Sequence, residues 1–282
     1  MKFRRYTDMD EYKADVFDIL LIDEDINNLP ISIIMKNEIE KPDDWLLSTI
    51  TGDNGDVVLI AQCAKPFDLL LYEPLRQQNA TAMELLASEL KCIGFAPPGV
   101  LALSGLSQRF ANAYCGSAGY KTYMTMVLMR LEELAGYNKA PGFCRMLTEG
   151  DLSYTPSWEQ AFNIDCRFPA SDLAENEKRI RTRLGKDTHF IWEDGEPVSQ
   201  AVYGRGTPNG GVVNWVYTPP QFRGRGYATS LVAEVSQTLF KRGKSFCCLF
   251  ADADNPVSRS VYRKLGYYDV GDFEEIKFDI GG

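Results

Sequence analysis

The segment V-V-N-W-V-Y-T-P-P-Q-F-R-G-R-G-Y-A-T-S-L-V, 212–232, constrains this chain more than any other stretch. It opens as a β-branched and aromatic run and breaks at Pro219-Pro220. It then passes through Arg223-Gly224-Arg225-Gly226 and continues as an amphipathic helix with the stripe Ala228, Leu231, Val232, Val235 and Leu239. A strand feeding a glycine turn at a helix start belongs to an α/β architecture. The first amides of such a helix have no intrahelical acceptor, the helix dipole favours negative charge there, and glycine lets a ligand approach the backbone. Charge agrees: 201–264 holds nine basic and three acidic residues, whereas the whole chain has 30 basic against 39 acidic and a net charge of -9. One basic segment in an acidic chain points to a small anion rather than to a polymer. A solvated helix face with a glycine cap is the plainer alternative.

The 282 residues suggest two domains. In the first half, strands are expected at 2–6, 45–51, 56–64, 67–72, 100–103 and 120–131, with helices near 8–22, 27–39, 81–92 and 106–114. The stretch A-G-Y-N-K-A-P-G, 135–142, reads as a linker. The pattern then restarts, with strands at 143–147, 188–192, 197–204, 211–217, 245–250 and within 267–278, and helices near 156–164, 173–184, 224–241 and 256–265. The halves read as a diverged repeat: Gln77 and Gly119-Tyr120 are 42 residues apart, Arg223 and Gly266-Tyr267 are 43 apart, and the element order between them agrees. The boundaries read as 1–134, linker 135–142, and 143–282.

Several classes are excluded. A net charge of -9 argues against nucleic acid, and no apolar run reaches the ~20 residues of a membrane span. No apolar signal segment follows Met1. The single histidine, His189, in an apolar T-H-F-I-W run, rules out paired-histidine and histidine-rich metal sites, and no metal is expected. Seven cysteines without C-x-x-C spacing read as free thiols in the cytoplasm. Gly243-Lys244-Ser245 resembles the tail of a P-loop, but Thr238 stands where its first glycine belongs. A dinucleotide fingerprint fails at Thr229 and would sit late in the chain.

Arg223-x-x-Gly226-x-Ala228 after V-Y-T-P resembles motif A of the GNAT superfamily of acyl-CoA N-acyltransferases. The downstream segment A-D-N-P-V-S-R-S-V-Y-R-K-L-G-Y-Y, 253–268, resembles motif B of the same superfamily. The two occur in order, about 30 residues apart. The resemblance implies a tandem of two GNAT-like domains, each a mixed, mostly antiparallel sheet flanked by helices. It further implies an N-acetyltransferase in which an amine attacks acetyl-CoA directly. The backbone of Val216, Tyr217 and Thr218 would pair with the pantetheine arm, and Arg223, Gly224, Arg225, Gly226, Tyr227, Ala228 and Thr229 would hold the pyrophosphate. Asn255 would contact the arm, a backbone N–H near Tyr217 would stabilise the oxyanion, and Tyr262 would protonate the departing thiolate.

Plainer roles stand beside these. Asn255-Pro256 is a good helix start, Tyr262 could be a boundary aromatic, and Arg223 a solvated charge. The general base is unassigned: the strand G-V-V-N-W-V-Y has no carboxylate, and Asp252 and Asp254 are weak candidates. In the first half, Ala80 replaces the key glycine of the turn and the counterpart of motif B lacks the Asn-Pro start, so that half reads as degenerate, without cofactor binding. Its residues 1–140 carry 13 basic against 20 acidic residues, an excess that either helps bind a cationic acceptor or marks a half that gives structural support alone. Tyr154, Trp158, Phe162, Trp192 and Tyr203 are candidate acceptor-site aromatics. The acceptor is a small molecule or peptide amine, and the oligomeric state stays open. A non-catalytic acyl-CoA-binding regulatory module is the alternative.

Overall fold

The computed structural model describes residues 1–36, 45–117, 119–169 and 171–279, apart from the side chain of residue 257. The elements run β1 Lys2–Arg5, α1 Met9–Leu21, α2 Asn28–Met35, β2 Trp45–Thr51, β3 Val57–Ala64, β4 Leu69–Tyr72, α3 Ala80–Cys92, β5 Gly99–Leu103, α4 Ser104–Cys115 and β6 Tyr120–Leu131. They continue with β7 Phe143–Met146, α5 Thr155–Asp165, α6 Leu173–Arg181, β8 His189–Glu193, β9 Pro197–Gly206, β10 Gly210–Tyr217, α7 Tyr227–Lys241, β11 Phe246–Asp252, α8 Pro256–Lys264 and β12 Tyr268–Phe278. Of the helix expected over 27–39, α2 covers the first part, and 37–39 lie outside the described residues.

The chain divides into two compact units, Met1–Leu128 with the segment from Val270 onward, and Met129–Asp269. The C-terminal segment, expected in the second domain, therefore packs with the first. The reason is visible in β12. Its Phe273–Lys277 stretch pairs antiparallel with β5, and Ile276 and Phe278 enter a core with Leu86, Leu90, Val100 and Phe110. The stretch read as a linker is also tied down. In the second unit, the Ala140 amide donates to Ser230 Oγ at 2.8 Å, Lys139 pairs with Glu234 at 2.6 Å, and the Trp192 indole donates to the Pro141 carbonyl at 2.8 Å.

In the first unit the strands lie in the order β1-β2-β3-β4-β5-β12, with most of β6 beside β12. The pairs β1–β2, β2–β3, β3–β4 and β5–β12 are antiparallel, and β4 and β5 are parallel. In the second unit the order is β11-β10-β9-β8-β7, antiparallel except for the parallel pair β10 and β11. The run β4-α3-β5-α4-β6 thus matches β10-α7-β11-α8-β12, each with one parallel pair around a helix, as the repeat spacing predicts.

Helix α7 follows its sequence pattern. Leu231, Val232, Val235 and Leu239 are fully buried, and burial stabilises the fold by roughly 1.5–3 kcal/mol for each such side chain. The helix stops where Gly243 turns left-handed (φ 84°), so that its amide reaches the Phe240 carbonyl and the Lys244 amide reaches the Leu239 carbonyl. No helix among the described residues is long and apolar enough to cross a membrane.

Candidate active site

β10 and β11 pair only over Gly210–Val212 against Phe246–Cys248. β10 then continues to Tyr217 and β11 to Asp252 without further pairing to each other, so the two strands part. On its other side β10 carries a bulge. Asn214 lies opposite Val202 and Tyr217 opposite Gln200, so three steps on β10 match two on β9. The extra residue is absorbed at Trp215, whose φ of 54° is left-handed. For a bulky side chain that conformation costs about 1–2 kcal/mol and needs outside support.

β10 leads into the glycine turn. Gly224 and Gly226 have φ of 78° and 83°, a region open to glycine at little cost. A Cβ on Gly224 would meet no atom within 4 Å, so the outer side of the turn is open. Gly226 caps α7 without a side chain. Among the described residues, none of the amides of Gly224, Arg225, Gly226, Tyr227, Ala228 and Thr229 donates to an acceptor of the chain; the first that does is Ser230, to the Gly226 carbonyl. These six donors and the positive end of α7 form a cradle for an anion.

The flanking side chains divide between the turn and its support. Arg223 does not reach outward: its Nε donates to the Thr218 carbonyl at 2.9 Å and its Nη2 to Asp165 at 2.5 Å. It braces the turn. Tyr227 is buried and donates to Asp194 at 2.6 Å, a bond that pulls its pKa up. Arg225 is exposed on the turn. The Tyr217 carbonyl accepts from Ser199 Oγ at 3.0 Å, and the same hydroxyl meets Thr218 Oγ1 at 2.8 Å.

On α8, Asn255 Oδ1 accepts from the Ser258 amide at 3.2 Å, with Pro256 in the first turn, so the plain helix-start role is realised. Tyr262 is buried, its ring 5.9 Å from that of Tyr267. Its hydroxyl makes no hydrogen bond to the chain among the described residues. Burial, with the nearby Cys166 thiol, raises its pKa, so it stays protonated at neutral pH. Burial likewise pushes Cys166, beside Asp165 and Asp252, up to about 11. Of the two weak base candidates, Asp254 faces Arg167 at 3.5 Å, and Asp252 Oδ1 accepts the Asp254 amide at 2.9 Å.

Three of the five candidate aromatics gather at β10. The Tyr154 and Trp158 rings are 4.6 Å apart, Trp158 reaches Tyr217 at 6.1 Å, and Phe162 reaches Trp215 at 5.0 Å. Trp192 is fully buried and bonded to Pro141, while the Tyr203 hydroxyl lies against Gly206; neither joins this group. Sequence reasoning missed Asp165, Ser199 and the buried Glu159, because their partners are far away along the chain and no local spacing marks them. Among the described residues no group of three or more His, Cys, Asp or Glu could hold a metal ion.

Comparison with solved structures gives the fold. A GNAT-family acetyltransferase from Colwellia psychrerythraea is 11% identical over 99% of each chain, with a TM-score of 0.60. A GCN5-related N-acetyltransferase from Sphaerobacter thermophilus is 17% identical over 99% of this chain and 96% of its own, with a TM-score of 0.66. The fold is that of the GNAT superfamily. A tandem GNAT protein from the clavulanic acid biosynthesis pathway, 13% identical over 98% and 97% of the two chains with a TM-score of 0.58, has a similar fold. The model of the FR47-like protein family matches residues 193–275, which contain the parted strands, the glycine turn and α8 of this GNAT fold. No curated protein matches the sequence.

Proposed function

We propose that the chain is an acyltransferase that moves an acetyl group from acetyl-CoA to an amine, with its site in the second unit. The observation that carries this reading is the set of six unpartnered amides over Gly224–Thr229, next to the point where β10 and β11 part. Acetyl-CoA, when bound, supplies the acetyl group as a thioester. The amides of Gly224, Arg225, Gly226, Tyr227, Ala228 and Thr229 hold the pyrophosphate, with Arg225 adding charge and Arg223 bracing the turn through Asp165. The free edge of β10 at Val216, Tyr217 and Thr218 pairs with the pantetheine arm as a strand edge pairs with a peptide. The Asn255 side-chain amide contacts the same arm. A β10 amide near Tyr217 stabilises the negative charge that develops on the carbonyl oxygen under attack. As the C–N bond forms and the C–S bond breaks, the Tyr262 hydroxyl gives its proton to the departing thiolate; the proton that the amine loses goes to solvent, and solvent restores the phenol.

The acceptor is a small-molecule or peptide amine, and Trp158 and Phe162 stand next to the strand on which it would react. The first unit is the degenerate partner. Its turn carries Arg76 and Gln78, not glycine, in left-handed positions (φ 47° and 52°), and Ala80 is already helical. There the Asn79 amide donates to the buried Glu73 carboxylate at 2.8 Å, which Arg109 also holds at 2.6 Å. An internal carboxylate thus stands at the helix start where a ligand's anion would go. Seven free thiols suit a reducing cytoplasm.

The test is release of free CoA thiol from acetyl-CoA with a panel of amines. Tyr262→Phe should lower kcat about 10²-fold or more with little change in the KM for acetyl-CoA, since the lost proton matters only in the transition state. Binding of acetyl-CoA without turnover on any amine would favour the regulatory module instead.

A further inference from the structure

We propose that Glu159 is a positioning residue for the transfer step: through Arg179 and Arg183 it clamps Trp215 in its left-handed conformation and so sets the direction of the following β10 amides. The inference rests on the reading of β10 as the acyl-binding strand.

The clamp is built from three elements of the second unit. Glu159, on α5, is fully buried, and both its carboxylate oxygens are taken. Oε2 accepts from Arg179 Nε at 3.1 Å and Nη2 at 2.6 Å, and Oε1 accepts from Arg183 Nη1. The two guanidinium carbons then lie over the Trp215 ring, 5.2 Å and 5.9 Å from its centre. Phe162, one turn along α5 from Trp158, meets the same ring at 5.0 Å. A cation over an indole face is attractive, more so when desolvated, and Glu159 fixes both cations. Asn176 completes the frame: it accepts from Arg179 at 2.6 Å and donates to the Pro156 carbonyl at 3.2 Å, tying α6 to the start of α5.

Trp215 is where this support is needed. It absorbs the extra residue of the β10 bulge at φ 54°. If it relaxed to an extended conformation, the register of Val216 and Tyr217 would slip and their amides would swap sides. A buried ion pair that only holds α5 to α6 would not require the guanidinium groups to end on the one strained residue of the acyl-binding strand. The arrangement also couples that strand to α5, whose Trp158 touches Tyr217 on the other side of the bulge.

The experiment measures kcat and the KM for acetyl-CoA in Glu159→Gln and Arg179→Ala, each alone and combined with Trp215→Gly. Arg179→Ala guards against misfolding, because Arg179 is partly exposed and its loss leaves Glu159 paired with Arg183. Each single variant should lose about tenfold or more in kcat, with KM within about threefold, since misplacing a transition-state donor acts on the chemical step. Glycine adopts positive φ unaided, so in the Trp215→Gly background the same substitutions should cost less than about twofold. Equal losses in both backgrounds would overturn the clamp, as would full activity of both single variants. Hydrogen exchange gives a readout that does not depend on turnover. Amides over 213–218 should exchange about tenfold faster in Glu159→Gln while those of α7 are unchanged. A chain that transfers no acetyl group would contradict the proposed function; unchanged exchange over 213–218 would contradict the clamp by itself.

Discussion

His189 is buried to 1% exposure on β8, with Nε2 3.3 Å from Gln200 Oε1 and no partner for Nδ1 among the described residues. Burial, with the Arg183 charge nearby, lowers its pKa to about 3. The folded chain therefore holds His189 neutral where an unfolded chain, with a histidine pKa of about 6.5, takes up a proton. The unfolded state binds more protons between those values, so this residue's contribution is complete above about pH 6.5 and is lost as the pH falls toward 3. It adds a slope of about 1.4 kcal/mol per pH unit between roughly pH 6 and 4. Urea unfolding of the wild type and of His189→Gln at pH 7, 6, 5 and 4 should show that extra slope in the wild type alone; parallel curves would contradict it. The lone histidine in an apolar run was legible as structural. Its partner Gln200 was not, since it lies on a neighbouring strand and nothing in its local pattern marks it. Arg223 shows the same limit: its type suited an anion, but only the fold brings Asp165 close enough to turn it inward.

At the scale of elements, two turns invite comparison. The second-unit turn uses glycine at both left-handed positions and leaves its amides free; the first-unit turn uses Arg76 and Gln78 and satisfies one amide internally with Glu73. The glycine turn, the stripe of α7 and the Asn-Pro start of α8 were readable because each is a local pattern with one physical cause. The bulge at Trp215 was not readable, since tryptophan has no preference for positive φ and the bulge depends on α5 and α6. The stripe carries its own prediction. Leu239 is fully buried on α7, one turn beyond Val235. Leu239→Ala should destabilise the second unit by about 2–5 kcal/mol. Chemical denaturation followed by the fluorescence of Trp158, Trp192 and Trp215 reads this, and a loss under about 1 kcal/mol would mean that α7 is not seated on a packed core.

At the scale of the molecule, the repeat of strand, turn, helix and parallel strand was readable from two spacings in the sequence, whereas the packing of the segment from Val270 with the first unit was not. That assignment rests on β12 pairing with β5 and on Ile276 and Phe278 joining the first unit's core, and apolar alternation in a strand does not say which core it will enter. On the proposed function the two units should differ in ligand count: none at the turn occupied by Glu73 and one at the glycine turn. The most direct measurement is an isothermal titration of the purified chain and of Gly226→Glu with CoA. The account predicts one CoA per chain for the wild type and none for the variant, whose glutamate would stand beside Ala140 at a left-handed position (φ 83°), straining the turn and adding a negative charge to it. Two CoA per chain, undiminished binding by Gly226→Glu, or no binding by the wild type would contradict it.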